Sequence, residues 1–201
     1  MKKGMLIGLT IGGIFVLFFV MLFLWGKNTY NNMVKLNESV TQSWSQVENQ
    51  YQRRADLIPN LVQTVKGYAN FEKSVLTEVT EARSKVSQFN VSKDVLNDPQ
   101  AFQKFQAVQG RLSGALSRLL VTVERYPDLK ANQSFLSLQA QLEGTENRIA
   151  VERRRFNQAV QKYNTTIKMF PASTIAGMFG FSAKQYFQST PGTEKPPAVK
   201  F

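Results

Sequence analysis

The residues best suited to chemistry fall in two short polar zones that interrupt apolar helical repeats. The first zone, within residues 48–56, contains Glu48, Asn49, Arg53 and Asp56. The second zone, within residues 142–149, contains Glu143, Glu146, Asn147 and Arg148. Carboxylates brought together inside a helical bundle could bind a hard divalent cation through oxygen ligands alone, or could act as general acids and bases.

The same eight residues also suit a structural role. The best-documented role of buried charged side chains in helical proteins is to fix how neighbouring helices align along each other. Carboxylates interleaved with arginines commonly form ion pairs of this kind. We therefore predict that the eight residues form a structural polar network between two antiparallel helices. A divalent-cation site that uses Glu48, Asp56, Glu143 and Glu146 is the alternative.

The amino-acid composition excludes much familiar catalysis. The chain has no histidine and no cysteine, so it lacks imidazole bases, thiolate nucleophiles and the usual zinc ligands. It also lacks the glycine-rich phosphate-binding loop of nucleotide hydrolases and the Gly-x-Ser-x-Gly elbow of esterases. We predict a protein that is not an enzyme and that carries no cofactor.

Basic residues recur every seven positions along one predicted helix, at Lys104, Arg111, Arg118 and Arg125. This basic stripe is displaced from the apolar face of the helix, so it is predicted to meet solvent. The whole chain has 25 Lys and Arg against 14 Asp and Glu, a net charge of +11 that favours anionic surroundings. The stripe is either an ordinary solvated surface or a contact for anionic lipid or an acidic partner. Nucleic acid is not expected, because the stripe lacks interleaved aromatic residues.

An uncharged apolar segment covers residues 4–26. About 20 apolar residues are enough to cross a bilayer as a helix, so this segment predicts contact with the lipid bilayer. No small-residue cleavage site follows it, and Trp25 suits the membrane interface. We predict an anchor at residues 1–27 and a single-pass protein of the bacterial cytoplasmic membrane. Lysines flank both ends, so the charge pattern only slightly favours a bundle outside the cytoplasm.

The rest of the chain follows helical periodicity. Apolar residues recur at steps of three and four within residues 40–86, 102–123 and 135–167. The sequence therefore predicts an all-α fold, in which an N-terminal transmembrane helix precedes an antiparallel bundle of long helices at residues 28–187. Pro59 is expected to kink or briefly break the first helix near residues 56–59, and Asp98-Pro99 predicts the start of another. The composition of residues 188–201 predicts a flexible tail.

Four aromatic residues near the C-terminus form a cluster: Phe179, Phe181, Tyr186 and Phe187. They could cap the bundle, lie on a membrane, or bury themselves in a neighbouring subunit. Together with the basic stripe they are the predicted interaction surface. Because the anchor would confine copies to one plane, we also predict a homo-oligomer.

Several motifs together resemble the bacterial LemA family. They are the strings at residues 44–62, 79–83 and 142–149, and the pairs Phe156-Asn157 and Tyr163-Asn164. The resemblance extends from about residue 30 to 187 and into the closing residues 196–201. It implies one transmembrane helix followed by an antiparallel helical domain, and it assigns no catalytic residue.

The function expected on these grounds is that of a membrane-anchored scaffold or adaptor. Its bundle would present helix faces to copies of itself or to other envelope proteins. The alternative is a divalent-cation-dependent enzyme or ligand-binding module that uses the carboxylates of the bundle.

Overall fold

The computed structural model describes residues 2–68, 71–89 and 93–188, and all the regular structure in these ranges is helical. The helices are α1 (Lys2–Lys66), α2 (Lys73–Gln88), α3 (Pro99–Val123), α4 (Pro127–Lys130), α5 (Gln133–Lys168) and α6 (Ala172–Met178), with a 3₁₀ turn at Lys93–Leu96. α1, α2, α3 and α5 alternate in direction, α1 packing chiefly on α5 and α2 on α3. The predicted all-α fold is confirmed.

α1 is a single helix of 65 residues, about 98 Å long at 1.5 Å per residue. Its first third exposes nearly every large apolar side chain and makes no core. In the part of the chain that the structure describes, this is the one helix long and apolar enough to cross a membrane. The arrangement fits a single-pass membrane protein, with anchor and bundle sharing one continuous helix.

Pro59 does not break α1, so of the kink or short break expected near residues 56–59 the break does not occur. Proline lacks the backbone N–H that would bond to the carbonyl of Ala55, one turn earlier. Arg83 of α2 donates its Nε–H to that carbonyl at 3.1 Å. The freed acceptor is thus satisfied from a neighbouring helix, and the helical path first breaks after Lys66.

Two helices begin at side-chain caps. The carboxylate of Asp98 accepts hydrogen bonds from the amides of Gln100 and Ala101 at 2.8 and 3.2 Å, and Pro99 opens the first turn of α3. The side-chain oxygen of Asn132 accepts from the amide of Phe135 at 3.0 Å and starts α5. The predicted start of a helix at Pro99 is confirmed.

The buried apolar residues form two clusters. The distal core joins the end of α1 to α2, the second half of α3, α4 and the start of α5. The proximal core is centred on Trp44 and joins the middle of α1 to the start of α3, the end of α5, α6 and the segment 181–188. Because α3 begins near the level of Trp44, only α1 and α5 among the long helices continue toward the anchor.

The predicted boundary between anchor and bundle, at residues 27 and 28, falls inside α1, where the helix is unbroken. The predicted flexible tail, residues 188–201, lies outside the described residues apart from Gln188. Gln188 is held in place: its amide donates to Gln106 at 3.2 Å, and its carbonyl accepts from Arg153 at 2.8 Å.

Candidate functional site

A buried arginine, Arg54, joins three helices at the middle of the bundle. Its side chain is 1% exposed. One terminal nitrogen, Nη1, donates to Glu146 of α5 at 2.6 Å and to Ser113 of α3 at 2.8 Å. The other, Nη2, donates to the side chain and backbone carbonyl of Gln109. A buried cation needs such partners, because an unpaired charge away from water is costly.

Tyr51 lies one turn before Arg54 and extends this polar centre. The guanidinium of Arg54 lies 5.0 Å from the centre of the Tyr51 ring. Burial raises the pKa of the Tyr51 hydroxyl above its ordinary value, while the nearby charges of Arg153 and Arg54 oppose that shift. Burial thus favours the neutral, protonated form of the phenol.

An open groove runs between α3 and α5 above the Arg54 centre. Its first part is a cleft of about 550 Å³ with Arg54, Glu146 and Arg153 among its lining residues. Its second part, of about 440 Å³, shares Glu146 and continues to Leu120 and Leu142. We call the two parts together the α3–α5 groove.

The α3 wall of this groove carries no charge. From one end to the other it presents neutral side chains, most of them small or amide-bearing: Gln103, Gln106, Ala107, Gln109, Gly110, Ser113, Gly114, Leu116, Ser117 and Leu120. A Cβ added to Gly110 or Gly114 would meet nothing within 4 Å, so the space above both glycines is open.

The structure brings few of the eight predicted network residues together. In the described ranges, Glu146 is the member that forms an ion pair between helices, and its partner is Arg54 rather than the predicted Arg53. Asp56 and Glu143 accept hydrogen bonds from glutamines of their own helices, at 2.8 and 2.9 Å. The others are half-buried or exposed without a cross-helix ion pair in these ranges: Glu48, Asn49, Arg53, Asn147 and Arg148.

The helical repeat of the sequence indicates that Arg54 is buried, although the predicted network contained Arg53 and not Arg54. Arg54 follows the core residue Tyr51 by three positions and precedes the core residue Ile58 by four. It therefore occupies an apolar position of the helical repeat, whereas Arg53 lies about 100° away around the helix.

A divalent-cation site would require several of the predicted carboxylates to converge. Among the described residues, no group of three or more acidic side chains lies close enough to hold a metal ion. Glu146 is occupied by Arg54, and Asp56 by a glutamine of its own helix. The geometry of these residues does not assemble the oxygen ligands that such an ion needs.

The basic stripe lies on the exposed side of α3, as its helical phase predicts. Arg118 pairs with Glu78 of α2, and Arg125 with Glu72, each at 3.1 Å. Both pairs are largely exposed, so each contributes little to stability. Lys104 and Arg111 are exposed and have no ion pair in the described ranges.

The C-terminal aromatic residues separate into two groups. Phe187 is buried in the proximal core, where its ring lies 5.0 Å from Phe102 and 5.4 Å from Phe156. Phe181 is half-buried, whereas Phe179 and Tyr186 remain exposed. The structure thus places Phe187 inside its own bundle, where it offers no exposed interaction surface.

Two asparagines hold the extended segment 181–188 on α5. Asn157 makes a pair of hydrogen bonds with the backbone of Phe187 at 2.9 and 3.0 Å, and Asn164 makes a pair with Lys184, both at 2.9 Å. Each asparagine amide thus supplies the donor and the acceptor that a neighbouring strand would supply in a sheet, since the segment 181–188 pairs with no strand in the described ranges. The sequence shows Asn157 and Asn164 seven residues apart, each following a core aromatic residue, but their role was not predicted.

Removing the carboxylate of Glu146 should destabilise the bundle by leaving Arg54 without its anion. We expect Glu146→Ala to lower the free energy of unfolding by roughly 2 kcal/mol, below the 3–5 kcal/mol of a fully buried pair. The cost is reduced because Glu146 is 43% exposed. In an Arg54→Met background, the same change should cost close to nothing, since no buried cation is orphaned.

Denaturant unfolding of the full-length protein in detergent measures all four members of this cycle. Glu143→Ala is the matched control, because Glu143 is exposed and bonds within its own helix. Equal costs for Glu146→Ala with and without Arg54 would show that the pair makes no contribution.

Comparison with known proteins places this architecture among relatives. The LemA family model matches residues 43–201. Magnetosome proteins MamQ 1 and MamQ 2 of Paramagnetospirillum magneticum are each 26% identical over 184 residues, which cover 83% of this chain and 67% of theirs. Protein LemA of Metamycoplasma hominis is 23% identical over 160 residues, covering 80% of this chain and 69% of its own. None of these relatives is named for an enzymatic activity.

Proposed function

Because the chain belongs to the LemA family, we propose that this helical membrane protein is a non-enzymatic adaptor that holds a partner protein at the bilayer. The observation that carries this proposal is the α3–α5 groove, whose uncharged α3 wall is left uncovered. The anchor and the first wall of the bundle are one helix, α1, so a partner bound in the groove would be held at a defined height above the membrane.

The glycines of the groove favour a helix as the bound element. A glycine inside a helix costs roughly 0.5–1 kcal/mol relative to alanine, and Gly110 and Gly114 are both exposed within α3. Nothing in the described structure occupies the space above them. A partner helix packed closely against these two positions would offset that cost, because helix–helix distance depends on the side chains at the contact.

Charge favours an acidic segment over a second copy of this chain. Arg153 lines the first part of the groove, and Arg111 and Arg148 are exposed on the two helices that flank it. Of the two lining carboxylates, Glu146 is paired with Arg54, and Glu143 lies in the second part. The net charge of +11 on each chain opposes the association of two copies, whereas an acidic helix would be attracted to these arginines. We therefore commit to an acidic helical segment of another membrane or envelope protein as the occupant.

The proposal also includes the side of the membrane on which the bundle lies. We place the bundle outside the cytoplasm, because the lysines near the N-terminus slightly favour that end as the cytoplasmic one. Protease treatment of intact spheroplasts should then cleave the bundle, whereas protection of the bundle in intact spheroplasts, lost when they are lysed, would reverse the assignment.

A photo-crosslinking amino acid at Gly114 tests the groove in native membranes. We expect an adduct with one partner protein, mapped to an acidic helical segment, and a loss of that adduct when Ser117→Trp fills the groove without changing the melting temperature. Arg111→Glu should lower the yield severalfold by removing charge complementarity, and high salt should do the same.

The control places the crosslinker at Lys85, an exposed position of α2 away from the groove. The same adducts at both positions would contradict docking in the groove. Adducts at Gly114 with this chain alone would instead identify the groove as a homo-oligomer interface, as the predicted self-association requires.

A further inference from the structure

Large apolar side chains are exposed at the corner between α5 and α6. Met169, Phe170, Met178 and Phe179 are 60%, 86%, 74% and 59% exposed. They lie within eleven consecutive residues, 169–179, which we call the α6 corner. Large apolar side chains exposed together in one short segment commonly mark a contact with another protein or with a membrane.

The α6 corner lies at the height where the apolar anchor ends. A Cβ placed on Gly26, the last residue of the uncharged segment, would be 3.8 Å from the Cδ1 of Ile175 in α6. The ring of Tyr30 lies 4.8 Å from that of Phe179. Because α1 is unbroken, residues 26 and 30 are about 6 Å apart along its axis.

This height corresponds to the lipid headgroups. If residues 4–26 cross the hydrocarbon core, Gly26 lies at its edge, and the headgroup layer adds roughly 5–7 Å on each side. The stretch from Gly26 to Tyr30 then spans that layer, and so does the α6 corner packed against it. Lys27 and Lys168 are exposed at the same level and suit anionic headgroups.

We propose that the α6 corner inserts its exposed apolar side chains into the headgroup layer beside the anchor, as a second membrane contact. α6 is amphipathic for this purpose. Ala176 is buried and Ile175 half-buried against the bundle, whereas Met178 and Phe179, at the C-terminal end of α6, are mostly exposed. The two contacts together fix the tilt of α1 and the rotation of the bundle about the axis of α1, which the anchor by itself does not fix.

A lipid surface fits this corner better than a second copy of the chain. The corner is continuous with the surface through which the anchor already meets the bilayer. Lys27 and Lys168 would repel the same lysines of another copy at a symmetric interface, but they attract anionic lipid. Membrane-interface segments typically combine such apolar side chains with flanking lysines.

The absence of cysteine from the chain allows a direct test. Full-length single-cysteine variants Phe170→Cys and Met178→Cys are labelled with an environment-sensitive fluorophore and reconstituted into phosphatidylcholine–phosphatidylglycerol vesicles. We expect blue-shifted emission, quenching by brominated lipid and protection from iodide at both positions. The matched control is Leu136→Cys, an exposed apolar position at the far end of α5, which should be quenched by iodide and not by brominated lipid.

Iodide quenching at residues 170 and 178 equal to that at residue 136 would overturn the proposal. Protection from iodide without quenching by brominated lipid would also overturn it, and would indicate burial against another protein. Circular dichroism of each labelled variant confirms the native fold, which these exposed positions should not disturb. Because the test reports only lipid contact, its outcome is independent of whether a partner binds the α3–α5 groove.

Discussion

Replacing Trp44 by alanine should lower the free energy of unfolding by about 3–5 kcal/mol, one of the two largest single-residue effects expected in this bundle. Trp44 is 1% exposed and lies at the centre of the proximal core. Its ring centre is within 6.0 Å of those of Phe102, Phe105, Phe156 and Phe187. Alanine would leave a cavity bounded by rings from three separate parts of the chain.

The reason for so large an effect is that these rings cannot all move inward. α3 is held in place by its contacts with α2, and α5 by its contacts with α1. Neither helix can therefore close the cavity, which would persist. Thermal and denaturant unfolding of the full-length protein in detergent would measure the loss. Leu136→Ala is the control, because Leu136 is 42% exposed and should change stability by less than about 0.5 kcal/mol. Similar losses for both variants would contradict the central position of Trp44.

Phe187→Ala should cost about 3–4 kcal/mol, although Phe187 lies in an extended segment near the C-terminus. Its ring is 6% exposed and stacks on that of Trp44 at a centroid distance of 6.0 Å. The guanidinium of Arg153 covers the ring at 4.7 Å. The backbone bonds from Asn157 hold the ring in place, so Asn157→Ala should also destabilise, by about 1–2 kcal/mol.

Tyr186→Ala is the control for Phe187, since Tyr186 is the preceding residue and is exposed. We expect a change of less than about 0.5 kcal/mol there, as is usual for surface positions. The oligomeric state, measured by light scattering, should be the same for Phe187→Ala as for the unaltered protein. A Phe187→Ala protein with unchanged stability but a smaller assembly would mean that this ring serves an interface between subunits.

These two predictions also change what is expected of a truncation. If the C-terminal aromatic residues served a subunit interface, one of the three roles that the sequence left open, removing the chain after Pro171 would reduce an oligomer and leave the helices intact. In the structure, that truncation removes Phe187 from the proximal core and leaves Trp44 partly uncovered. Loss of stability is now the expected result.

The sequence by itself determined the features that depend on local physics. A 3.6-residue repeat identifies a helix and its buried face wherever the helix packs, so the all-α fold and the burial of Trp44 and Leu142 were predictable. An uncharged segment long enough to cross a bilayer predicts an anchor for the same reason. The cap at Asp98 and Pro99 requires only groups within three residues of each other.

Only the tertiary structure decided the features that depend on a distant partner. Whether Pro59 breaks α1 depends on the free carbonyl of Ala55, and the donor that satisfies it is Arg83, on another helix. Which arginine is buried depends on the rotation of α1 about its axis, and a shift of one residue turns a side chain by about 100°. The partners of Arg54, on α3 and α5, settle that rotation.

The C-terminal aromatic residues show the same division most clearly. Their composition was compatible with a bundle cap, a membrane contact or a subunit interface, because hydrophobic burial has no preferred direction. The amides of Asn157 and Asn164 provide the direction, since their hydrogen bonds align the extended segment so that Phe187 faces Trp44. Phe179, which lies beyond the reach of those asparagines, remains exposed beside Tyr30, close to the end of the uncharged segment.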